Sequence, residues 1–267
     1  MSRPGWFPGG YNSVMMHFAD LDQELARKAG ATFVNFNPPV VAVMQRALAL
    51  DPLMAKLILP DRVHPDPLAH WVMAAALLKG WNAPALVSSL TIDALAVKAE
   101  AQNAIVGPIQ RDKDTLKWTT TELSLPLPLI ADNHSQALLL QLTDIQQQLN
   151  QESLAVTGLD PGSYELLIDG KSLRTFSAAE LAKGINLADY QTPMRAQAQR
   201  VGWMVRDRDQ AHYIHMRMEI KKADIGAQPG KPDVIGAFEN LMEDEIYQEA
   251  APKPHEFLLR PASAPLN

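Results

Sequence analysis

Apolar residues recur at helical spacing in the first eighty residues of the chain. A period near 3.6 from Val14 to Leu25 predicts a helix over 13–29, with Gly30 at its C-cap. The same pattern predicts helices over 40–50 and 68–80. Asp66 and Pro67 precede the third helix, in the positions of an N-cap and a first helical residue.

A short extended run separates the first two helices. Residues Ala31 to Phe36 are rich in β-branched and aromatic side chains and end before Pro38 and Pro39, which predicts a strand followed by a turn. Helix, strand and helix in this order are typical of a parallel α/β layer.

The pattern changes near Pro84. Short apolar runs over 85–101, 115–129 and 154–176 predict strands joined by turns, and Asp169-Gly170 between two such runs predicts a hairpin. Ser177 and Glu180 have the spacing of a capping box for a short helix that Gly184 ends.

Two helices and a proline-rich tail are predicted after this β-rich stretch. The helices cover 194–223 and 232–250. Basic residues of the first helix alternate with acidic ones, which predicts a solvated, salt-bridged face rather than a nucleic-acid patch. The basic residues are Arg195, Arg200, Arg206, Arg208, Arg217, Lys221 and Lys222. Glu239, Glu243, Asp244 and Glu245 of the second helix are likewise predicted to be surface charge.

Composition narrows the classes of protein. In 267 residues, 47% are apolar and the net charge is −6, so wholesale disorder and phosphate-tracking nucleic-acid binding are disfavoured. The chain has no cysteine, which excludes disulfides, thiolate metal sites and cysteine nucleophiles. No apolar stretch is long enough for a membrane span, and the first twelve residues lack the apolar region of a secretory signal. We predict no cofactor and no resident metal, and the compartment is left open.

The segment with the clearest chemistry is DRVHP over 61–65. Asp61 and His64 are three residues apart on a loop stiffened by Pro60 and Pro65, so their side chains can meet within the loop. A carboxylate on one ring nitrogen fixes the tautomer and leaves the other nitrogen free to take a proton from a hydroxyl nucleophile. We therefore predict that His64 is a general base and Asp61 its partner.

The whole string around this pair resembles the last conserved block of the SGNH (GDSL-type) esterase and lipase family. DRVHP is followed by LAHWVMAAALL over 68–78 and by WNAP over 81–84, and in that family the block supplies the triad Asp and His before the C-terminal helix. PGGYN over 8–12 and TFVN over 32–35, with the helices around them, look like its penultimate helix and last strand. The stretches 154–170 and 180–188 resemble the β-rich extension carried by one bacterial branch of the family.

The chain departs from the family at the nucleophile. It contains no Gly-Asp-Ser block and no Gly-x-Asn-Asp block, which in the family furnish the nucleophile and oxyanion-hole donors. The hydroxyls of Ser13, Ser88, Ser89 and Ser135 lie outside any glycine-flanked nucleophile turn, so helix-cap or loop roles are favoured for them. The resemblance therefore implies the C-terminal part of such a hydrolase, inactive by itself.

Three other histidines are weaker candidates. His70 lies inside the third predicted helix, so a packing or hydrogen-bonding role is favoured over metal ligation with Asp61 and His64. His212 and His215 can share one helix face, but the sequence places no third ligand near them, so a helix surface or seam is favoured over a metal site.

The resemblance implies an α/β remnant of a flavodoxin-like, three-layer hydrolase core over 1–88, a β-rich α+β extension over 89–190, and a helical region with a tail over 191–267. The implied function is hydrolysis of an acyl ester or an acetylated carbohydrate. The alternative is a non-catalytic module that binds a carbohydrate or a partner through the extension. One strand with three helices cannot form a sheet whose two faces are both covered. We therefore also expect exposed apolar surface in the first ninety residues and self-association through it.

Overall fold

The computed structural model describes residues 10–61, 63–129, 134–224 and 234–262, except the side chains of 134–135 and 220–224. The chain has an α/β fold with mixed sheets and helices. It forms two compact units, one from residues 1–85 and 130–149 and the other from 86–129 and 150–267. The domain boundaries predicted at 88 and 190 stay predictions, and the compact units follow a different division of the chain.

All the regular secondary structure in the described residues of the first unit is helical, and no strand occurs there. A 3₁₀ turn spans Met54–Leu57. The α-helices are α1 (Tyr11–Ala29), α2 (Asn37–Leu50), α3 (Pro67–Gly80), α4 (His134–Leu142) and α5 (Ile145–Leu149).

Helix α1 matches its prediction and carries the expected exposed apolar face. Gly30 ends it in the left-handed conformation, at φ 66°, where its N–H reaches the carbonyls of Ala26 and Arg27. No residue of α1 is buried, and Phe18 and Leu25 are 58% and 62% exposed. Exposed apolar surface in the first ninety residues is therefore confirmed, while self-association through it stays a prediction.

The predicted strand over Ala31–Phe36 is wrong. These residues form an irregular connection between α1 and α2, and the described part of the first unit offers no second strand to pair with them. The Asn35 side-chain carbonyl instead accepts a hydrogen bond from the Asn37 N–H at 3.0 Å, and α2 begins at Asn37 with prolines in its first turn.

The second unit contains two sheets. Its strands are β1 (Leu86–Asp93), β2 (Lys98–Gln102), β3 (Ala104–Val106), β4 (Gln110–Asp112), β5 (Thr115–Glu122), β6 (Gln151–Thr157), β7 (Ser163–Ile168), β8 (Lys171–Ser177), β9 (Ile185–Asn186) and β10 (His255–Pro261). The first sheet has the order β2-β1-β6-β9 and the second β3-β5-β10-β7-β8, with β4 also on β5. Only β1 and β6 pair in parallel among the described strands.

The apolar faces of the two sheets share one core. Ile92 and Leu154 of the first sheet are buried with Trp118 and Phe257 of the second, and the Trp118 and Phe257 rings stack with centroids 5.3 Å apart. The second unit therefore has a large apolar core, whereas helix α1 of the first unit buries no residue.

The turn signals of the sequence are confirmed. Asp169 and Gly170 join β7 to β8 with φ 50° and 75°, as a tight hairpin turn requires. Ser177 and Glu180 form a reciprocal capping box at the start of α6 (Ala178–Lys183), and Gly184 follows its end.

The C-terminal helices match their predictions, but the predictions for Arg195 and for the tail do not. The helices are α7 (Pro193–Asp224) and α8 (Val234–Ala250). Arg195 is only 3% exposed and donates to the Leu129 carbonyl, so its assignment to a solvated face is wrong. The proline-rich tail contains β10, a central strand, because His255, Phe257 and Leu259 alternate inward while the prolines flank them.

No helix in the described ranges has the length and apolar character needed to cross a bilayer.

Candidate active site

The loop between the 3₁₀ turn and α3 carries Asp61 and His64. Ile58 is fully buried at its start, and the Ile58 carbonyl accepts a hydrogen bond from the Asp66 N–H at 3.0 Å. Pro67 then opens α3. The two ends of the loop are therefore tied together, and its tip is exposed.

The structure brings Asp61 and His64 into direct contact. His64 Nδ1 lies 2.6 Å from Asp61 Oδ2, and the backbone N–H groups of His64 and Val63 donate to Asp61 Oδ1 at 2.8 and 3.0 Å. One carboxylate thus holds both the ring and the backbone of the loop tip. The His64 side chain is 82% exposed, so its other ring nitrogen is open to solvent.

These hydrogen bonds stabilise the ionised form of the Asp61 carboxyl. The pKa of the Asp61 carboxyl is held well below its usual range, first by the His64 side chain and then by the backbone N–H groups of His64 and Val63. An ionised carboxylate at Nδ1 favours the tautomer with its proton on Nδ1 and leaves Nε2 as the basic nitrogen. The pair therefore has the arrangement of a general base with its orienting partner.

No serine or threonine hydroxyl hydrogen-bonds to His64 in the described ranges. Ser13 donates to the Gly10 carbonyl at the start of α1. Ser88 and Ser89 lie within β1 in the other unit, and Ser88 is buried. The side chain of Ser135 lies outside the described residues. None of the described serines sits in a turn of the nucleophile type, as the sequence predicts.

His70 has the hydrogen-bonding role favoured for it. Its Nδ1 lies 3.2 Å from the carbonyl of Asp66, the N-cap residue of α3.

The first unit also contains a cavity of about 440 Å³ that does not include the pair. Mostly apolar side chains of α2, α3 and α4 line it, among them Val43, Val72 and Leu139, with Arg46 and Lys79 as cationic groups. Asp61 and His64 therefore lie on an exposed loop outside this cavity.

A second cluster consists of two histidines and a third group that the sequence does not place beside them. Glu239 of α8 lies against His212 and His215 of α7, with its carboxylate 3.4 and 3.2 Å from their Nδ1 atoms. Glu239 is only 7% exposed, so its prediction as surface charge is wrong. Because the two helices meet through tertiary packing, no spacing along the chain could reveal this group.

A third feature without a sequence signal is a buried polar cluster in the second unit. His255 Nδ1 lies 2.7 Å from Asp169 Oδ2, while its Nε2 is buried without a hydrogen-bond partner among the described residues. Burial raises the pKa of Glu122, and burial together with the charge of Glu122 raises the pKa of Glu152 well above its usual value.

No protein-family model and no curated protein matches the chain. Among solved structures, the chain is similar to BT4096, a gut microbial diltiazem-metabolizing enzyme, with a TM-score of 0.78 and 25% sequence identity. The similarity covers 92% of this chain and 66% of that one. The chain therefore spans about two thirds of the length of the enzyme that it resembles.

Proposed function

We propose that this chain is the part of an SGNH-type ester hydrolase that carries the general base. His64 is the base and Asp61 orients it. The observation that carries the proposal is the 2.6 Å contact between His64 Nδ1 and Asp61 Oδ2 on a loop whose ends are tied together.

The proposed step is a proton transfer in each direction. His64 Nε2 takes the proton of a serine hydroxyl as that oxygen attacks the acyl carbon, and it later returns the proton to the departing alcohol. Asp61 stabilises the imidazolium formed in between. The serine and oxyanion donors belong to residues outside this sequence, and one such donor is worth about 3 kcal/mol of barrier.

The compound that the similar enzyme metabolises also supports ester hydrolysis as the function. Diltiazem carries an acetate ester, besides an aryl methyl ether and a tertiary amine, so ester hydrolysis is one way to metabolise it. An acyl ester or an acetylated carbohydrate is accordingly the substrate class proposed here.

The test is hydrolysis of 4-nitrophenyl acetate in two proteins. For the 267-residue chain we expect a rate no higher than that of free imidazole at the same concentration. For the protein expressed from a reading frame that extends upstream of Met1 into a Gly-Asp-Ser block, we expect enzymatic turnover. His64→Ala should lower its kcat/KM by about 10⁶-fold, since removal of the histidine of a triad has an effect of this order.

His70→Ala is the matched control, because His70 is an exposed histidine of the same region and should leave the rate unchanged. Three results contradict the proposal: turnover by the chain alone, turnover of the longer protein that His64→Ala does not affect, or an upstream frame that contains no Gly-Asp-Ser block.

A second candidate function is a non-catalytic binding module in the second unit. The observation that favours it is a cavity of about 370 Å³ lined by polar and charged groups, among them Asp169, Lys171, Arg200 and Lys253. Carboxylate, ammonium and guanidinium groups around a cavity of this size suit a hydroxyl-rich ligand such as an oligosaccharide.

Glycan-array binding distinguishes the two candidates. Binding that survives His64→Ala and is abolished by Arg200→Ala supports the module. No glycan bound by the chain, or binding that Arg200→Ala leaves intact, contradicts it.

A further inference from the structure

Helices α7 and α8 bring two imidazoles and one carboxylate together. His212 and His215 are one turn apart on α7, and Glu239 faces them from α8. One ligand atom from each of the three lies within 4.8 Å of the others. The two histidines and the glutamate come from two different helices of the second unit, so the cluster is independent of Asp61 and His64.

The spacing of the donor atoms suits a small tetrahedral ion. Zinc binds histidine nitrogen and carboxylate oxygen at about 2.0–2.1 Å, which in a tetrahedron separates two ligand atoms by about 3.4 Å. Glu239 Oε1 lies 3.4 Å from His212 Nδ1 and 3.2 Å from His215 Nδ1. Two edges of the required tetrahedron are therefore already present.

The surroundings favour a preorganised site. The side chains of Glu239 and His215 are 9% and 16% exposed, whereas that of His212 is 46% exposed and leaves one side open to solvent. The carboxylate of Glu219 lies 3.9 Å from His215 Nε2, the nitrogen turned away from Glu239. A carboxylate behind a ligating histidine orients the ring and raises its basicity.

An ion pair also joins the two helices beside this cluster. Arg208 Nη2 lies 3.3 Å from Glu243 Oε2, one turn before His212 on α7 and one turn after Glu239 on α8. The carboxylate and the two imidazoles already face one another in this arrangement.

We propose that His212, His215 and Glu239 form a binding site for a divalent transition-metal ion of the zinc type. Three protein ligands leave the fourth position for water or a small Lewis base. The imidazoles bind through Nδ1 in the tautomer that carries its proton on Nε2, and the negative charge of Glu219, 3.9 Å from His215 Nε2, favours that tautomer of His215.

The first test titrates the chelator-treated full chain with Zn²⁺ by calorimetry and with Co²⁺ by visible absorption. We expect one ion per chain and the intense spectrum of tetrahedral Co²⁺. His212→Asn and Glu239→Gln should each weaken binding by more than tenfold, and Glu219→Gln by about tenfold, because even outer-shell partners contribute about 10–100-fold.

His70→Ala and His17→Ala are the matched controls and should bind as the native chain does. His212→Asn is the variant least liable to disturb folding, since nearly half of its side chain is exposed. Zn²⁺ should also raise the Tm of the native chain and not that of His212→Asn. The absence of saturable binding, a weak octahedral Co²⁺ spectrum, or equal affinity in the native chain and His212→Asn would each overturn the proposal. The last result would leave Glu239 as a simple hydrogen-bond partner of the two rings.

Discussion

The exposed loop of the first unit and the start of β10, beside the turn that joins β7 to β8, each hold an aspartate–histidine pair. Their contacts are nearly the same: Nδ1 lies 2.6 Å from Oδ2 in Asp61–His64 and 2.7 Å in Asp169–His255. Their surroundings differ, since the side chain of His64 is 82% exposed and that of His255 only 9%.

The comparison shows that pair geometry does not by itself decide a role. His64 presents a free nitrogen on a short loop, where a reacting group can approach it. His255 lies in the middle strand of a sheet, with Glu122 close enough for their charges to interact. We therefore propose a chemical role for the exposed pair and a structural role for the pair whose histidine is buried.

The largest expected difference between the two pairs is in the free energy of unfolding that each histidine contributes. His255→Ala should lower the free energy of unfolding by about 2 kcal/mol, because it leaves a cavity and removes the hydrogen bond to Asp169. His64→Ala should change it by less than about 0.5 kcal/mol, as is usual at exposed positions. Urea denaturation of the two variants beside the native chain measures both values. Equal losses would remove the distinction drawn here.

The buried carboxyl groups near His255 should make stability depend on pH. The pKa of Glu152 is raised in the folded chain, so above its ordinary value of 4.5 the unfolded chain releases this proton more readily. Stability should therefore fall as pH rises from about 4.5 through the raised pKa. Glu152→Gln should make this slope shallower than in the native chain. Denaturation midpoints over pH 5 to 8 test the prediction, and an unchanged slope contradicts it.

A pair of glycines tests the difference between the units with the same substitution. Gly170 and Gly30 both adopt positive φ, at 75° and 66°, and an added Cβ would meet nothing within 4 Å at either position. Gly170→Ala should lower the free energy of unfolding by about 1 kcal/mol, because it strains the turn of a core hairpin. Gly30→Ala should affect only the end of α1, which buries no residue. A global loss of similar size at Gly30 would show that α1 supports the fold.

Local signals in the sequence predict much of the fold. The helices α1, α2, α3, α7 and α8 follow from apolar periodicity, and the Asp169-Gly170 turn and the capping box at Ser177 follow from turn and cap chemistry. The contact between Asp61 and His64 is also predictable, because both residues lie within one short loop.

Features that depend on tertiary contacts are not predictable in this way. The run over 31–36 has strand composition, but a strand needs a partner, and the described part of the first unit provides none. Glu239 has the sequence context of a surface residue and becomes buried only because α8 packs on α7. Strand β10 is not evident from the sequence because prolines flank it and are typical of a tail. The structure reveals it through the alternating burial of His255, Phe257 and Leu259.

The central claim is that the exposed pair performs the ester chemistry, and one assay tests it most directly. In the protein expressed from the extended reading frame, hydrolysis of 4-nitrophenyl acetate is compared between His64→Ala and His255→Ala, at a temperature where circular dichroism shows both folded. We predict a fall in kcat/KM of about 10⁶-fold for His64→Ala and less than about threefold for His255→Ala. Full activity of His64→Ala, or a larger loss at His255 than at His64, would contradict the account.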